Sequence, residues 1–283
     1  MSVEASSRVP LSIVILTKNE EEHLRDCLES CRWADDILVV DSGSRDGTLD
    51  IAREMGAYII HQGWMGFGLQ RRFAVSQAAH DWVLCIDADE RVSKELADSI
   101  QATLSDRAGE DGPHVFSIPR KTWFIGRFLQ HGDGYPDRLV RLFNRKYASW
   151  DSTPVEERVV SEETPSPLKG DLLHYPSKSF SDFLQKKIRF ACMRGEYLHR
   201  QGVRAGSCRL ITSPFFRFFK FYVAKRGFLD GLPGLLHAVS NSIYGFVKYA
   251  RMYELELQEE KRRPAAEANP DRQAAPAVQS AND

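Results

Sequence analysis

The stretch Val83-Leu84-Cys85-Ile86-Asp87-Ala88-Asp89-Glu90 decides the fold, because an apolar strand runs directly into acidic residues. Alternate side chains of an extended chain point the same way, so Asp87 and Asp89 share a face. Two hard oxygen donors at a strand end suit Mg²⁺ or Mn²⁺, which in turn hold phosphates. The alternative is a solvated loop in which Asp89 or Glu90 caps the next helix.

Two earlier apolar runs, residues 11–16 and 36–40, also end in polar residues. Thr17 and Asn19 follow the first run, and Asp41 and Ser42 follow the second. Strands that alternate with helical stretches predict an α/β fold with a mostly parallel sheet. Ligands of such sheets bind beyond the carboxyl ends of the strands. Three polar strand ends on one edge therefore predict a single binding site, which favours metal binding at Asp87 and Asp89.

The common phosphate-binding loops are missing from the sequence. No GxGxxG and no GxxxxGK[ST] follows the first strand, so phosphates would be held by a metal and by basic side chains. Arg71 and Arg72 are candidates, since they open the predicted helix, residues 71–79, that leads to the acidic strand. The alternative for both is a solvated helix face.

The charge of the chain is unevenly distributed. The net charge of the 283 residues is -1, but residues 178–226 hold 12 Lys and Arg against 2 Asp and Glu. Such a basic segment on an acidic body indicates an anionic partner, either nucleic acid or a membrane surface. The 5 cysteines include no CxxC pair, and we predict that they are reduced thiols, as in a cytosolic protein. We expect neither a signal peptide nor a membrane-spanning helix.

Three segments resemble, in order and spacing, the successive motifs of family 2 glycosyltransferases. They are Thr17-Lys18-Asn19-Glu20-Glu21, Val40-Asp41-Ser42-Gly43-Ser44-Arg45-Asp46-Gly47-Thr48 and Asp87-Ala88-Asp89-Glu90. The resemblance implies the nucleotide-sugar-binding GT-A fold, a nucleoside-diphosphate sugar donor and inversion at the anomeric carbon. It also implies roles for individual residues. The donor would be bound by Thr17, Asn19, Glu20, Asp41, Ser42, Arg71 and Asp87, and Mg²⁺ or Mn²⁺ by Asp89 and Asp87.

The second half resembles a bacterial subgroup that includes lipopolysaccharide core glycosyltransferases adding β-linked glucose to heptose. The similar segments are residues 123–127, 135–143 and 228–231, and the resemblance covers roughly residues 11–255. Members usually carry Val-His-Glu where this chain has Val155-Glu156-Glu157. In that alignment Glu157 is the catalytic base, and Glu156 stands where other members have His. Without the resemblance, the two glutamates are interpreted as an exposed charge pair.

An inverting transfer needs one carboxylate to take the proton of the attacking hydroxyl, which agrees with a single base. Arg138 and His174 are further candidates for acceptor or phosphate contacts. His174 follows an apolar pair and reads equally well as a core histidine.

The segment Phe215-Phe216-Arg217-Phe218-Phe219-Lys220-Phe221-Tyr222 alternates aromatic and basic residues. Such a segment can bind nucleic acid, lie on an anionic membrane or pack in a core. The lipid-linked acceptor that the resemblance implies favours the membrane surface, and we expect no nucleic acid.

We therefore divide the chain into four parts: an N-terminal segment (1–10), a GT-A catalytic domain (11–177), a helical, basic and aromatic membrane-associating extension (178–257) and a disordered tail (258–283). The expected function is metal-dependent transfer of glucose from UDP-glucose to a lipid-linked saccharide such as lipopolysaccharide core. The expected location is cytoplasmic, peripheral on the inner face of the cell membrane. The alternatives are a glycosyltransferase acting on a protein or another envelope acceptor, and a non-enzymatic binder of anionic lipid or nucleic acid.

Overall fold

The apolar runs of the N-terminal half form neighbouring parallel strands. The computed structural model describes residues 9–105 and 112–262. Strands β1 to β4 lie in the order β3-β2-β1-β4, all parallel, which confirms the α/β prediction. The elements of this half are β1 (Leu11–Thr17), α1 (Leu24–Cys31), β2 (Asp36–Asp41), α2 (Thr48–Glu54), β3 (Tyr58–His61), α3 (Phe67–Ser76) and β4 (Trp82–Asp87).

Beyond β4 the sheet becomes mixed. The elements are β5 (Glu90–Val92), α4 (Lys94–Ser105), β6 (Val115–Phe124), β7 (Arg127–Phe128), β8 (Asp137–Asn144), β9 (Ala148–Trp150), β10 (Val159–Ser161), β11 (Ser166–Pro167) and β12 (Leu172–His174). Strand β8 joins β4 antiparallel, and the sheet continues through β6 and β12 to β5. Strands β9 and β10 form a separate two-stranded ribbon.

The core lies on both faces of the sheet, which explains why β1 has no polar alternation. Ile13 and Ile15 pack in the cluster that contains Leu28 of α1. Val14 points to the other face, into the cluster that contains Ala74 of α3. Strands covered on both faces read as continuous apolar runs.

Helix α3 begins earlier than the sequence predicts, at Phe67 instead of Arg71. Gly66, with a φ of 91°, turns the chain into the helix just before it. Arg71 is consequently an interior, buried residue of α3, whereas Arg72 is exposed. The solvated-face interpretation is right for Arg72 and wrong for Arg71.

The C-terminal part is helical. Helices α5 (Phe180–Arg200) and α6 (Ser207–Phe218) are followed by a π-helical segment (Phe219–Ala224), a 3₁₀ turn (Gly227–Asp230) and α7 (Gly231–Arg262). Helix α7 packs against both α5 and α6. Buried Asp230 ties this part to the sheet domain, because its carboxylate accepts the backbone N–H groups of Gln130 (3.0 Å) and His131 (2.8 Å).

The end of the chain departs from the predicted boundary. Helix α7 is continuous past residue 257 to Arg262, so the predicted tail begins as helix. The rest of that tail and residues 1–8 of the predicted N-terminal segment lie outside the described residues. In the described ranges, none of the helices has both the length and the apolar character that crossing a bilayer requires.

The aromatic segment of residues 215–222 is only partly a core element. Phe221 is buried, but Phe215 and Phe216 are 73% and 69% exposed. Core packing therefore accounts for Phe221 and not for the two exposed rings.

Close packing of α3 against the loop before β10 gives the first testable prediction. A Cβ at Gly68 would lie 2.4 Å from the Asp151 carbonyl oxygen and 2.6 Å from that of Thr153. We expect Gly68→Ala to lower the free energy of unfolding by about 1–3 kcal/mol through overpacking, measured by urea denaturation. Gly63→Ala is the control, since nothing lies within 4 Å of its Cβ position. Equal denaturation midpoints for the two variants would contradict the prediction.

Candidate active site

Asp41, at the carboxyl end of β2, is engaged by its own turn. Its carboxylate accepts the N–H of Gly43 (2.8 Å) and the N–H of Ser44 (3.0 Å). Burial works against its charge, yet these hydrogen bonds hold the pKa of Asp41 below its usual range. Its register partner at the end of β1 is Thr17, whose buried hydroxyl has no hydrogen-bond partner in the described structure. This edge of the sheet therefore has an unpaired hydroxyl beside a charged carboxylate.

The loops after β1 and β2 are joined by side-chain to backbone hydrogen bonds. Asn19 has a φ of 56°, a conformation that Asn tolerates better than most residues. Its side-chain oxygen accepts the N–H of Arg45 at 2.8 Å, and its own N–H donates to Ser44 Oγ at 2.8 Å. The N–H of Glu20 donates to Thr48 Oγ1 at 2.8 Å. The predicted donor-binding residues of the two loops thus form one preorganised edge.

Ser42, the second predicted donor-binding residue after β2, is held by a residue that the sequence did not indicate. Gln70 is fully buried in α3 and donates through Nε2 to Ser42 Oγ (3.0 Å) and to the Gln62 carbonyl (3.1 Å). No sequence motif surrounds Gln70, so the sequence could not predict its hydrogen bond to Ser42.

Arg71 joins two of the predicted acidic residues. Its Nη2 lies 2.8 Å from Asp87 Oδ1 and its Nε 2.7 Å from Glu157 Oε1. The guanidinium also stacks over Trp150, 4.7 Å from the ring centroid. Its Nη1 is buried without a hydrogen-bond partner in the described residues. The structure thus brings together three residues that the sequence placed in the site.

Arg141 is a second cation in the site, and the sequence missed it. The β6–β8 pairing passes from Phe116–Leu142 to Ser117–Val140, which leaves Arg141 unpaired in a β-bulge. Bulges re-aim side chains and are common beside active sites. Arg141 Nη2 lies 3.2 Å from Asp87 Oδ2. Burial opposes the charge of Asp87, but Arg71 and Arg141 hold the pKa of Asp87 far below its usual range.

Glu90 is a buried support for this cluster and not a helix cap. Its Oε2 accepts the N–H of Asp87 at 2.9 Å, and its Oε1 lies 3.2 Å from Arg120 and 3.3 Å from Arg141. It belongs to β5, and Ser93 Oγ accepts the N–H of Leu96 at the start of α4. The capping alternative is therefore wrong for Glu90.

Asp89 has a different ion-pair partner from Asp87. Its side chain is 15% exposed, and His174 Nε2 lies 3.6 Å from its Oδ2. Burial opposes its charge, but His174 holds the pKa of Asp89 below its usual range. Burial and the negative charges of Asp89 and Asp87 raise the pKa of Glu20 to about 7. Asp89 and Glu20 therefore repel each other electrostatically, and the positive charge of Lys186 offsets part of that repulsion.

These oxygen ligands fit a divalent cation that is held jointly with phosphates. Within the ranges 9–105 and 112–262 no group of three His, Cys, Asp or Glu side chains is arranged to hold a metal alone. Mg²⁺ usually binds through one or two carboxylates together with substrate phosphates and water. Asp89 fits that role better than Asp87, because both oxygens of Asp87 already accept hydrogen bonds from arginines.

Glu156 and Glu157 are neighbours in sequence, but their side chains contact different parts of the structure. Glu157 is 11% exposed and faces Arg71. Glu156 is 45% exposed, has a φ of 60° and faces the C-terminal helices. Both are ion-paired, so the doublet is not a pair of free surface charges.

The two remaining candidates have different positions. His174 lies beside Asp89, with its Nδ1 buried and unpartnered among the described residues. Arg138 is exposed on β8. The side-chain hydrogen bonds to the Asp87 carboxylate come from Arg71 and Arg141 and not from Arg138.

Comparison with known proteins identifies the family. The model of "Glycosyl transferase family 2" matches residues 12–158, slightly more than half of the chain. An uncharacterised glycosyltransferase of Rickettsia felis is 31% identical over 87% of this chain and 89% of its own length. The lipopolysaccharide core biosynthesis glycosyltransferase LpsC of Rhizobium meliloti is 28% identical over 87% of this chain and 93% of its own.

Among solved structures, S. aureus TarS 1-349 covers 88% of this chain and 92% of its own, at 17% identity and a TM-score of 0.40. A likeness this distant supports no inference about activity or ligands. The family match and the LpsC relative confirm the resemblance that the motifs indicated, together with the α/β GT-A fold class. The chain therefore belongs to glycosyl transferase family 2.

Proposed function

We propose that this protein is an inverting, metal-dependent hexosyltransferase that moves glucose from UDP-glucose to a lipid-linked saccharide such as lipopolysaccharide core. The observation that carries the proposal is the bridge formed by Arg71. One guanidinium, 2.8 Å from Asp87 and 2.7 Å from Glu157, joins the acidic strand end to a second, isolated carboxylate. An inverting transfer requires a base close to the group that binds the donor diphosphate. The similarity to LpsC supports the choice of acceptor.

The donor half of the site is assigned to the edge formed by β1, β2 and β4. Thr17, Asn19, Glu20, Asp41 and Ser42 would bind the nucleoside, and Arg71, which pairs with Asp87, would lie near the donor. Asp89, with Asp87 beside it, would hold Mg²⁺ or Mn²⁺. Such a metal, when bound, neutralises the charge that develops on the leaving nucleoside diphosphate.

The acceptor half is assigned to Glu157, with His174 and Arg138 as further acceptor or phosphate contacts. Glu157 takes the proton of the acceptor hydroxyl while that oxygen attacks the anomeric carbon. The new glycosidic bond forms as the bond from the anomeric carbon to the diphosphate oxygen breaks. The diphosphate leaves with the electron pair and the proton remains on Glu157. A single displacement of this kind inverts the anomeric centre.

A thermal-shift screen tests the donor and the metal together. Binding to the folded state raises the melting temperature according to affinity and concentration. We expect UDP-glucose with Mn²⁺ to give the largest shift among UDP-, GDP- and dTDP-sugars, each measured with and without Mn²⁺. A larger shift with another nucleotide would change the donor, and no shift with any sugar nucleotide would overturn the proposed function.

We further propose that the protein acts on the cytoplasmic side, peripherally on the inner face of the cell membrane. The docking face, defined as the exposed side chains of Phe215, Phe216 and Phe219, lies in a segment that also carries exposed cations. These cations are Lys220, Lys225 and Arg226. Apolar side chains can enter the headgroup boundary while cations near anionic lipid contribute about 1 kcal/mol each.

The membrane proposal predicts a loss of vesicle binding in a double variant. We expect Phe215→Ser with Phe216→Ser to weaken partitioning onto vesicles containing phosphatidylglycerol by about tenfold or more, because two large apolar groups are lost. Co-sedimentation measures this. Val160→Ser, an exposed apolar residue of β10, serves as the matched control. Equal sedimentation of the wild type and the double variant would argue against the docking face.

A further inference from the structure

Glu156 adopts a backbone conformation that its own chemistry does not favour. Its φ of 60° lies in the left-handed region, where glutamate, unlike Asn or Gly, is rarely found. Such conformations persist only where surrounding contacts over-determine them, and they cluster at functional sites. The surroundings of Glu156 are therefore informative.

Two helices of the C-terminal part hold the Glu156 carboxylate. The hydroxyl of Tyr244, on α7, donates to Oε1, and Arg194 Nε, on α5, lies 3.1 Å from Oε2. Arg194 Nη1 also donates to the carbonyl of Val155 at 3.4 Å. Tyr244 is buried, and Arg217 of α6 lies 5.0 Å from the centroid of its ring. Burial and the nearby charge of Glu156 raise the pKa of Tyr244, which favours the protonated hydroxyl further.

The other side of the same loop is fixed to the sheet domain. The N–H of Phe67 donates to the Pro154 carbonyl (3.1 Å) and that of Gly68 to the Thr153 carbonyl (3.0 Å). Both donors belong to α3, the helix that carries Arg71. Residues 153–157 are thus held between α3 and the C-terminal helices, and the reversal at Glu156 sends neighbouring carboxylates to opposite sides.

We propose that Tyr244 and Arg194 are positioning residues that clamp Glu156 and thereby hold the neighbouring Glu157 against Arg71. The inference rests on the proposed function in that it takes Glu157 to be the base. It also accounts for the departure of this chain from the Val-His-Glu pattern. A carboxylate accepts two donors at once, one on each oxygen, whereas a neutral histidine ring offers a single acceptor nitrogen. The C-terminal helices therefore complete the active site.

The test compares Tyr244→Phe, which removes the hydroxyl and keeps the ring, with Tyr253→Phe, an exposed tyrosine of the same helix. UDP release from UDP-glucose is followed with a heptose-terminated lipopolysaccharide core as acceptor. We expect kcat to fall about ten- to hundredfold in Tyr244→Phe, because a small misplacement of a catalytic group has effects of this size. The KM for UDP-glucose and the thermal shift produced by UDP should match those of the wild type. A purely structural role would lower the melting temperature and donor binding together.

A double-mutant cycle and an activity-independent measurement complete the test. Glu156→Gln combined with Tyr244→Phe should lose little more than the larger single effect, because both act through one contact. Hydrogen exchange of residues 153–158 should accelerate in Tyr244→Phe and not in Tyr253→Phe. If Tyr244→Phe fails to fold, Arg194→Gln is analysed in the same way.

The possible failures are distinguishable. Unchanged hydrogen exchange and unchanged kcat in a folded Tyr244→Phe protein would overturn the clamp while leaving the proposed function intact. A wild-type chain that neither binds UDP-glucose nor releases UDP would overturn the proposed function, and the exchange measurement would still decide whether the clamp exists.

Discussion

Asp89→Asn should lower sugar transfer by about 10²–10³-fold, the usual effect of removing one preorganised charge from a site where transition-state charge develops. Asn keeps the size of the side chain, so the substitution removes charge and little else. Asp89 acts electrostatically on Glu20, because burial and the charges of Asp89 and Asp87 raise the pKa of Glu20 to about 7. We therefore expect the stabilisation that Mn²⁺ adds to UDP binding to disappear as well, measured by thermal shift.

The control for Asp89→Asn is Asp98→Asn, an exposed position on α4 whose ion pair with Lys94 is on the surface. Exposed pairs of this type contribute little, so this variant should match the wild type in both measurements. Near-normal transfer by Asp89→Asn, with its dependence on metal intact, would remove Asp89 from the metal site.

Asp87 is the less informative position for the same experiment. Its carboxylate balances Arg71 and Arg141, both nearly fully buried. Removing one partner of a buried ion pair leaves an uncompensated charge, which is strongly destabilising. A loss of activity in Asp87→Asn would therefore mix altered folding with altered chemistry. The two carboxylates share one motif, but Asp87 pairs with the two arginines and Asp89 with His174.

The sequence was sufficient for the parts of the site that follow strand ends. Apolar runs covered on both faces give a strong local signal, and parallel strands bring Thr17 and Asp41 to one edge automatically. The bulge that turns Arg141 toward Asp87 has no such signal, since it depends on how β6 and β8 pair. A regular alternation gives no reason to prefer Arg141 over Arg138.

Long-range packing accounts for what else was missed. Gln70 and Tyr244 lie within helices, where hydrophobic periodicity predicts only which face of the helix a residue occupies and not which residue it contacts. Their partners, Ser42 and Glu156, are distant in sequence and are reached only after α3 and α7 dock. The resemblance pointed to two neighbouring acids as the proposed base, and the backbone reversal at Glu156 gives these two acids different partners.

Glu157→Gln is expected to lower kcat by about 10²–10⁴-fold, the usual contribution of a general base. Gln keeps an oxygen that can accept from Arg71 Nε, now 2.7 Å from Glu157 Oε1, and Arg71 keeps its ion pair with Asp87, so donor binding should survive. The thermal shift produced by UDP with Mn²⁺ should stay at the wild-type value while UDP release with acceptor falls.

The contrast with Glu156→Gln decides which acid is the base. If Glu156 acts only through the clamp, Glu156→Gln weakens the contacts of residue 156 but leaves Glu157 in place as the proton acceptor. The kcat of Glu156→Gln should therefore fall less than that of Glu157→Gln. The carboxylate of Glu156 already accepts from Tyr244 and Arg194, whereas Glu157 shares an arginine with Asp87 at the donor pole. The reverse ranking, with Glu156→Gln inactive and Glu157→Gln active, would transfer the role of base to Glu156. It would also require both helical donors to release Glu156 before it could take a proton.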